Sequence, residues 1–164
     1  MAILYLMCGC PGSGKSTWIE NHLEEDHQMW ISRDKIRFSL LEENDSYFSK
    51  ETLVFNTFVK EIIEGREDGY DVFADATHIS PSSRFKLYNR IPAHLRDETN
   101  VIWIKCDVTV SLSQNEYRKN TPYYVEPKVI RRMYDNFIAP SLDEGFDKIF
   151  IIVPKREMKI IKKG

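Results

Sequence analysis

The 164-residue sequence lacks the features that mark membrane, secreted and disulfide-bonded proteins. It contains no run of about 18 apolar residues, which excludes a membrane-spanning helix. Its N-terminal segment has neither the basic start nor the small-residue cleavage site of a signal peptide, so export is not expected. Only three cysteines occur, and Cys8, Cys10 and Cys106 form no Cys-x-x-Cys pair. This argues against a disulfide framework and a zinc site, and it favours the reducing cytoplasm as the location.

No linker rich in proline, glycine or serine divides the chain, and no internal repeat is present, so a single domain over residues 1–164 is expected. The net charge of −2 is unevenly distributed, because residues 1–75 carry 7 basic and 15 acidic side chains and residues 76–164 carry 16 and 10. A basic half suits a phosphate-rich partner. A solvated surface is the more frequent explanation of such an imbalance.

Short apolar segments alternate with segments that have helical periodicity. The apolar segments that predict strands are residues 3–8, 28–31, 72–74, 101–106 and 149–153. The segments that predict helices are residues 16–25, 35–43, 50–64, 108–117 and 127–138, with a further helix that begins at Ser80 and Pro81. This alternation predicts an α/β fold with a five-stranded, mostly parallel sheet that helices cover on both faces.

Residues 9–16, Gly-Cys-Pro-Gly-Ser-Gly-Lys-Ser, match the pattern G-x-x-x-x-G-K-[ST] in full. They lie between a predicted strand and a predicted helix, which is the context this pattern requires. Glycines let backbone amides turn towards phosphate oxygens, the Lys15 ammonium can reach the β- and γ-phosphates, and the Ser16 hydroxyl can ligate Mg²⁺. The residues predicted to form this phosphate-binding loop are Gly9, Gly12, Ser13, Gly14, Lys15, Ser16 and Thr17.

A phosphate-binding loop occurs in several classes of nucleotide enzyme. The Asn-Lys-x-Asp segment that reads guanine is absent, and 164 residues are few for an ATPase with coupling elements. A small phosphotransferase with a lid that excludes water from the transfer fits this length better. ATP and Mg²⁺ are therefore the expected nucleotide and metal.

The second predicted strand is followed by Ser-Arg-Asp-Lys-Ile-Arg, residues 32–37. A carboxylate at the carboxyl end of a strand, beside the loop that carries Lys15, can accept the proton of an attacking hydroxyl, so Asp34 is a candidate general base. Arg37 lies one helical turn later on the same face and could bind an anionic group of the acceptor. The alternative is structural, because Ser32 or Asp34 could simply cap the helix that follows.

Three polar residues stand at the end of the third predicted strand. Asp75 ends the strand, where its carboxylate can hold Ser16 or the water shell of Mg²⁺, although an aspartate that only forms a turn is the alternative. Thr77 and His78 would face the same crevice and contact the substrate. A single histidine is, however, more often packed in the interior than catalytic.

A polar, basic segment links the two predicted helices of residues 108–117 and 127–138. Arg118 in this segment could close over the polyphosphate and stabilise charge on the transferred group. It could instead interact with the carboxyl end of the preceding helix. Further along, Tyr123 and Tyr124 could stack on a base or pack against the protein.

Several segments together resemble the kinase domain of phage-type polynucleotide kinase and its relatives, which are small P-loop kinases of AAA-like type. They are residues 9–17, Ser32–Arg37, Asp75–Arg84, Val129–Tyr134 and the Glu-Gly-Phe-Asp sequence of residues 144–147. The resemblance covers nearly the whole chain. It implies a three-layer P-loop NTPase fold of the nucleotide-kinase type, with a helical lid at about residues 108–128, and transfer of the ATP γ-phosphoryl group to a hydroxyl.

The resemblance also implies roles for individual residues. Lys15 and Ser16 would bind the phosphates and magnesium, and Asp75 would support the metal. Asp34 would act as the general base, and Arg37 would bind the acceptor's own phosphate. Arg118 would be the lid arginine. The family's lid arginine stands shortly before a Val-Pro pair, where this chain has Tyr123 to Pro127. Arg131 or Arg132 could therefore take the lid role instead of Arg118.

The expected acceptor is the 5′-hydroxyl of a nucleic acid end or of a nucleotide. A kinase for a nucleoside, sugar or antibiotic on the same scaffold is the alternative, and a non-catalytic ATP-binding module is a third interpretation. The presence of both Asp34 and Arg37 beside an intact phosphate-binding loop argues against the non-catalytic module. Ionic strength separates the first two, since binding to a polynucleotide weakens as salt increases. No membrane association is expected, and the sequence indicates no oligomeric state.

Overall fold

The computed structural model describes residues 2–153 and 158–163. The strands are β1 (Leu4–Cys8), β2 (Gln28–Ser32), β3 (Asp71–Asp75), β4 (Thr99–Ile104), β5 (Lys148–Ile152) and β6 (Lys159–Lys162). The α-helices are α1 (Lys15–His22), α2 (Arg33–Leu40), α3 (Glu51–Glu67), α4 (Pro81–Tyr88), α5 (Val108–Glu116) and α6 (Pro127–Asp135), and two single 3₁₀ turns span Ala93–Leu95 and Leu142–Glu144. Within the described ranges, none of the helices is both long and apolar enough to cross a membrane.

The strands form one sheet in the order β2-β3-β1-β4-β5-β6. The first five strands in this order run parallel, and β6 pairs antiparallel with β5. The predicted α/β fold with a mostly parallel sheet is therefore confirmed, but the sheet has six strands rather than five. Strand β6 is four residues long and exposed throughout. Its sequence, Lys-Ile-Ile-Lys, has neither the alternating nor the longer continuous apolar pattern that identifies a strand.

Both faces of the sheet are covered. Successive residues of β1 point to opposite faces, so Leu6 packs in a core with Phe58 and Ile62 of α3, while Met7 packs in a second core with Ile19 of α1. Two buried faces explain why the strands are continuous apolar runs rather than alternating ones. Helices, sheet and helices form the three layers that the resemblance implied.

The carboxyl ends of the central strands meet at one edge of the sheet. In the parallel register Ser32 of β2 lies beside Asp75 of β3, and Leu6 of β1 lies beside Ala74. The loops that leave β1, β2 and β3 are therefore neighbours, which is where a parallel α/β sheet binds its ligands. The helix predicted at Ser80 and Pro81 is α4, and the Ser80 side chain caps it by accepting a hydrogen bond from the Ser83 amide (3.2 Å).

Candidate active site

The phosphate-binding loop, residues 9–14, connects β1 to α1. Two of its glycines are required by the backbone conformation. Gly12 has a φ of +80°, and a Cβ at this position would lie 2.4 Å from the carbonyl oxygen of Ser111 in α5. Gly14 has a φ of +102° and is the N-cap of α1. Any other residue would be strained at both positions, and at Gly12 it would also collide with α5.

The N-terminus of α1 offers unpaired amide donors. The first hydrogen bond inside the helix runs from the Trp18 amide to the Gly14 carbonyl (2.9 Å). The amides of Lys15, Ser16 and Thr17 precede this bond and have no acceptor within the helix. They point out of the positive end of the helix dipole, an arrangement that suits phosphate oxygens.

Two side chains of the loop also fit a polyphosphate. The Ser13 hydroxyl is buried, and it has no hydrogen-bond partner among residues 2–153 and 158–163. The ammonium of Lys15 lies across the loop and donates to the carbonyl oxygens of Gly9 (2.8 Å) and Cys10 (3.3 Å). A buried hydroxyl without a partner and a lysine that donates to loop carbonyls are groups that a phosphate ligand would pair. The loop therefore fits ATP.

Asp75 ends β3 beside the phosphate-binding loop and is only 7% exposed. Its carboxylate accepts a hydrogen bond from the indole nitrogen of Trp30 (3.0 Å). Burial raises the pKa of the Asp75 carboxyl, while the positive charge of Lys15 and the hydrogen bond from Trp30 act in the opposite direction. A buried carboxylate here and the Ser16 hydroxyl at the start of α1 are oxygen donors of the kind that Mg²⁺ prefers.

Asp34 lies in the first turn of α2, directly after β2. The side chain of Ser32 caps this helix by accepting a hydrogen bond from the Lys35 amide (3.2 Å), so Asp34 is not the cap. The Asp34 side chain is 53% exposed. Its Oδ1 accepts hydrogen bonds from the Arg37 guanidinium and from the Tyr47 hydroxyl (3.2 Å). The candidate base is therefore held in place and still open to an acceptor.

The geometry of Arg37 does not support its predicted binding of an acceptor phosphate. Its side chain is only 5% exposed, and it donates to both carboxylate oxygens of Glu51 (2.8 and 2.9 Å). It also donates to Asp34 and to the Tyr47 hydroxyl (2.9 Å), and the Tyr47 ring covers its guanidinium at 4.4 Å. Only Nε has no partner in the described part of the chain, and that atom is buried. Arg37 orients Asp34 rather than facing an acceptor.

Glu51, at the start of α3, is the member of this network that the sequence does not reveal. Its carboxylate binds Arg37 of α2 and also Arg33. Burial alone would raise the pKa of Glu51, but the hydrogen bonds and positive charges of Arg37 and Arg33 lower it overall. An acidic residue in the first turn of a helix is common for other reasons, so no sequence signal distinguishes it.

His78 is not accessible to a substrate, which corrects the prediction made for it. It is 4% exposed, and its Nδ1 lies 2.7 Å from the carbonyl oxygen of Met7. Burial lowers the pKa of His78 to about 4, so the ring is neutral near pH 7. Its neighbour Thr77 is half-buried, and the Thr77 carbonyl accepts a hydrogen bond from the Gly9 amide (2.9 Å). That bond ties the segment after β3 to the phosphate-binding loop.

Arg84 and Glu144, which belong to two of the segments that carry the resemblance, form an ion pair. The sequence indicated no role for either residue. Arg84 of α4 is fully buried and donates to both carboxylate oxygens of Glu144 (2.8 and 3.1 Å). Arg84 also donates to the carbonyl oxygens of His78 (2.7 Å) and Ile138 (3.0 Å). This guanidinium therefore joins the segment after β3 to the chain that leads into β5.

The phosphate-binding loop and the fold agree with a comparison to families of known proteins. The sequence profile of the family described as AAA domain matches residues 4–140. The chain belongs to this family. The sheet order and the loop geometry show a P-loop fold of the nucleotide-kinase type.

One relative of this AAA-domain chain comes from Acanthamoeba polyphaga mimivirus and is provisionally named a bifunctional polynucleotide phosphatase/kinase. It is 26% identical over 152 residues, which cover 89% of this chain and 32% of the relative. The chain thus spans about a third of that relative's length.

Two solved structures share the fold. A chain in the structure of the Pnkp1/Rnl/Hen1 RNA repair complex has a TM-score of 0.65 and 14% identity, and the match covers 99% of this chain and 49% of that one. A gluconokinase from Sinorhizobium meliloti has a TM-score of 0.60 and 12% identity, with coverage of 93% and 83%. Similarity at these identities establishes the fold of the AAA-domain chain and not its substrate.

The region predicted as a lid contains α5, a non-helical loop and the first residues of α6. Asn115 of α5 is fully buried and closes the loop, because its side chain donates to the Val125 carbonyl (2.6 Å) and accepts from the Val125 amide (3.1 Å). Arg118 is half-buried in this loop, whereas Arg131 and Arg132 are exposed on α6. The lid boundaries at 108 and 128 stay a prediction.

Proposed function

We propose that this chain transfers the γ-phosphoryl group of ATP to the 5′-hydroxyl of a nucleic acid end or of a nucleotide. One observation carries the proposal, namely that the half-exposed Asp34 carboxylate stands at the same sheet edge as Lys15 and Asp75. The mimivirus relative, whose name includes polynucleotide kinase, supports the choice of acceptor. We also infer a cytoplasmic location, because all three cysteines are free thiols and suit a reducing compartment.

In the proposed reaction the oxygen of the acceptor hydroxyl forms a bond to the γ-phosphorus. The bond between the γ-phosphorus and the oxygen that bridges to the β-phosphate breaks, ADP leaves, and the hydroxyl proton passes to Asp34. Both hydrogen bonds received by Asp34 go to Oδ1, and within the described residues Oδ2 accepts none, so Oδ2 is the atom that meets the hydroxyl.

The remaining contribution of the protein is positioning and electrostatic stabilisation. Lys15 and the first-turn amides of α1 would hold the phosphate oxygens, and Arg37 and Tyr47 keep the Asp34 carboxylate oriented. Arg118 is the candidate for stabilising charge on the transferred group. Ser16 and Asp75 would hold Mg²⁺, which neutralises charge on the β- and γ-phosphates when it is bound.

A second candidate function is phosphorylation of a small metabolite. It is favoured by the enclosure of Arg37, since the residue expected to bind an acceptor phosphate is already engaged by Glu51. The gluconokinase with the same fold shows that the scaffold serves a sugar acid in another protein. A non-catalytic ATP-binding module remains the third candidate.

One experiment tests these candidates together. The protein is incubated with γ-labelled ATP, Mg²⁺ and a panel of 5′-hydroxyl RNA, 5′-hydroxyl DNA, nucleoside 3′-monophosphates, nucleosides and sugar acids. We expect label on polynucleotide or nucleotide 5′ ends. Label only on a nucleoside or sugar acid would select the metabolite kinase, and ATP binding without transfer to any hydroxyl would select the binding module.

A variant tests the role of the candidate base. We expect Asp34→Asn to lower kcat by about 100-fold or more, the usual size of a general-base contribution. Asp26→Asn serves as the matched control, because the Asp26 side chain is 88% exposed and precedes the amino end of β2, opposite the carboxyl end that leads to Asp34. An Asp34→Asn protein with nearly normal kcat would remove Asp34 from the mechanism.

A further inference from the structure

Two cysteine thiols line one cavity beside the phosphate-binding loop. The cavity has a volume of about 200 Å³, and both Cys10 and Cys106 contribute to its wall. Cys10 belongs to the loop itself, and Cys106 follows the carboxyl end of β4. Both are free thiols. The proposed reaction uses neither of them, so the chemistry of this pair is additional to the site described above.

The backbone segments that carry the two thiols run side by side. Strands β1 and β4 pair in parallel. The segments stay together beyond the strands, because a Cβ on Gly9 would lie 3.2 Å from the Ile104 carbonyl oxygen. Cys10 follows Gly9 directly, and Cys106 stands two residues after Ile104. Neighbouring strands are about 4.8 Å apart and a disulfide joins Cα atoms about 4.4–6.8 Å apart, so this placement suits a disulfide.

A single tyrosine hydroxyl lies close to both sulfur atoms. The Ser111 hydroxyl is within hydrogen-bond distance of the Cys106 sulfur (3.8 Å) and of the Tyr134 hydroxyl, and Tyr134 donates to the Cys106 carbonyl (3.0 Å). Burial raises the pKa of Tyr134, the hydrogen bond with Ser111 lowers it, and negative charge on Cys106 or on Cys10 raises it. The influence of both thiols on one hydroxyl agrees with their position on one cavity.

The two thiols differ in their access to a reagent. Cys10 is only 3% exposed, and burial raises its pKa to about 11. Cys106 is partly exposed. The cavity has room for a reagent of a few heavy atoms. Because oxidation of cysteine follows exposure and thiolate character, Cys106 is the thiol that a small oxidant meets first, and Cys10 is the second partner.

Cys10 is tied to the groups that would hold the phosphates. Its carbonyl oxygen accepts hydrogen bonds from the Lys15 ammonium (3.3 Å) and from the Ser13 amide (3.1 Å). A bond that draws Cys10 towards Cys106 therefore displaces the lysine and the turn of the loop together. A phosphate-binding loop depends on the aim of these donors, so the displacement weakens its hold on a nucleotide.

We propose that a hydroperoxide joins Cys106 and Cys10 in a disulfide, and that this disulfide weakens binding of Mg-ATP by the loop. The Cys106 sulfur attacks one oxygen of hydrogen peroxide, the O–O bond breaks, and the thiol proton leaves with the other oxygen as water. The Cys10 sulfur then attacks the sulfur of the sulfenic acid, an S–S bond forms, and the hydroxyl leaves with the Cys10 proton as water. Two thiols are oxidised and one peroxide is reduced to two waters. This inference does not depend on the identity of the acceptor.

The covalent step is tested on the reduced wild-type protein treated with hydrogen peroxide. We expect each chain to lose two hydrogen atoms, and trypsin to release residues 1–15 linked to residues 106–118. Fragmentation of the linked peptide should place the bond on Cys10 and leave Cys8 as a thiol. Cys10→Ser should abolish the link, and Cys8→Ser, the matched control two residues away on a fully buried thiol, should preserve it.

Calorimetry with Mg-ATP tests the effect of the disulfide on the loop. We expect the oxidised protein to bind Mg-ATP about 10- to 150-fold more weakly, the range for losing one hydrogen bond to a charged group, and dithiothreitol to restore the affinity. Cys106→Ser should bind Mg-ATP normally and keep its affinity after the same treatment with peroxide.

The outcomes separate this inference from the proposed function. A sulfenic acid on Cys106 without a link, a link to Cys8, or links only between chains would overturn the pairing. A Cys10–Cys106 link with unchanged affinity would overturn its effect on the loop. If the reduced protein bound Mg-ATP and lost this affinity on oxidation but phosphorylated no acceptor, the proposed function would fail and the thiol pair would stand. Failure of the reduced protein to bind Mg-ATP would overturn both.

Discussion

Replacement of Gly12 by alanine is the sharpest test of how the phosphate-binding loop is held. Gly12 combines a φ of +80° with a Cβ position 2.4 Å from the Ser111 carbonyl oxygen. The obstacle is backbone of α5 and not the tip of a flexible side chain. Alanine can therefore be accommodated only if the loop and α5 move apart.

The strained backbone conformation and the collision with α5 have different consequences. The left-handed backbone conformation costs about 1–2 kcal/mol for a residue with a Cβ. Relief of the collision requires a displacement of about 1 Å, the difference between 2.4 Å and the 3.4 Å at which ordinary contact begins. Misplacement of a catalytic group by about 1 Å costs about 100-fold in rate. We therefore expect Gly12→Ala to lose about 100-fold in kcat/KM as well as at least 1–2 kcal/mol of unfolding free energy.

Gly69 provides the matched control, because it has a similar φ of +87° and a Cβ added there would have no atom of the described residues within 4 Å. Gly69→Ala should lose about 1–2 kcal/mol of stability and keep normal activity. Urea unfolding measures the stability of both variants, and calorimetry with Mg-ATP and the kinase assay measure their function. If Gly12→Ala bound Mg-ATP and turned over as well as Gly69→Ala, the proposed role of the close contact between loop and α5 would be refuted.

Three further substitutions test other parts of the molecule. Arg84→Met should lower the free energy of unfolding by about 3–5 kcal/mol, because it removes the fully buried guanidinium that pairs with Glu144 and with the His78 and Ile138 carbonyls, and a loss below about 1 kcal/mol in urea unfolding would contradict this. Burial lowers the pKa of His78 from 6.5 to about 4, so the unfolded chain takes up a proton that the folded one does not, and stability falls as pH decreases from about 6.5 towards 4. Between pH 7.5 and pH 5 the His78→Asn variant should therefore lose about 2 kcal/mol less unfolding free energy than the wild type. Equal losses would refute the lowered pKa of His78. Trp30→Phe removes the hydrogen bond to Asp75 and should raise the Mg²⁺ concentration for half-maximal activity by about 10-fold, whereas an unchanged Mg²⁺ requirement would count against a metal-supporting role of Asp75.

The parts of the site that could be predicted from the sequence are those whose geometry is local. The phosphate-binding loop depends on glycines, a lysine and a serine at fixed spacing, and the helix dipole follows from the helix that begins at Lys15. Asp34 and Asp75 could be placed because each lies at the carboxyl end of a recognisable strand, and the carboxyl ends of parallel strands share an edge. Ser80 and Pro81 likewise predicted the start of α4 from adjacent residues alone.

The incorrect predictions concern side chains whose partners are distant in sequence. Arg37 was expected to be available to a substrate. The sequence pattern could not show that Glu51, fourteen residues further on, binds Arg37 when α3 packs against α2. His78 could face the crevice or the interior, and only the tertiary contact with the Met7 carbonyl decides between them. Periodicity and spacing give the positions of such residues along an element and carry no information about which element packs over them.

The proposed site draws its two kinds of charged group from different halves of the chain. The acidic half supplies β1, β2 and β3, whose carboxyl ends lead to the carboxylates of Asp34 and Asp75, the groups proposed to bind a proton and Mg²⁺. The basic half supplies α5, the loop that follows it and α6, with Arg118, Arg131 and Arg132, the candidates proposed to bind phosphate oxygens. Transfer of a phosphoryl group between two anionic partners requires both kinds of group around the reacting phosphorus. Because the segment predicted as the lid follows these strands in the chain, the carboxylates and the arginines proposed for the site fall in separate halves of the sequence.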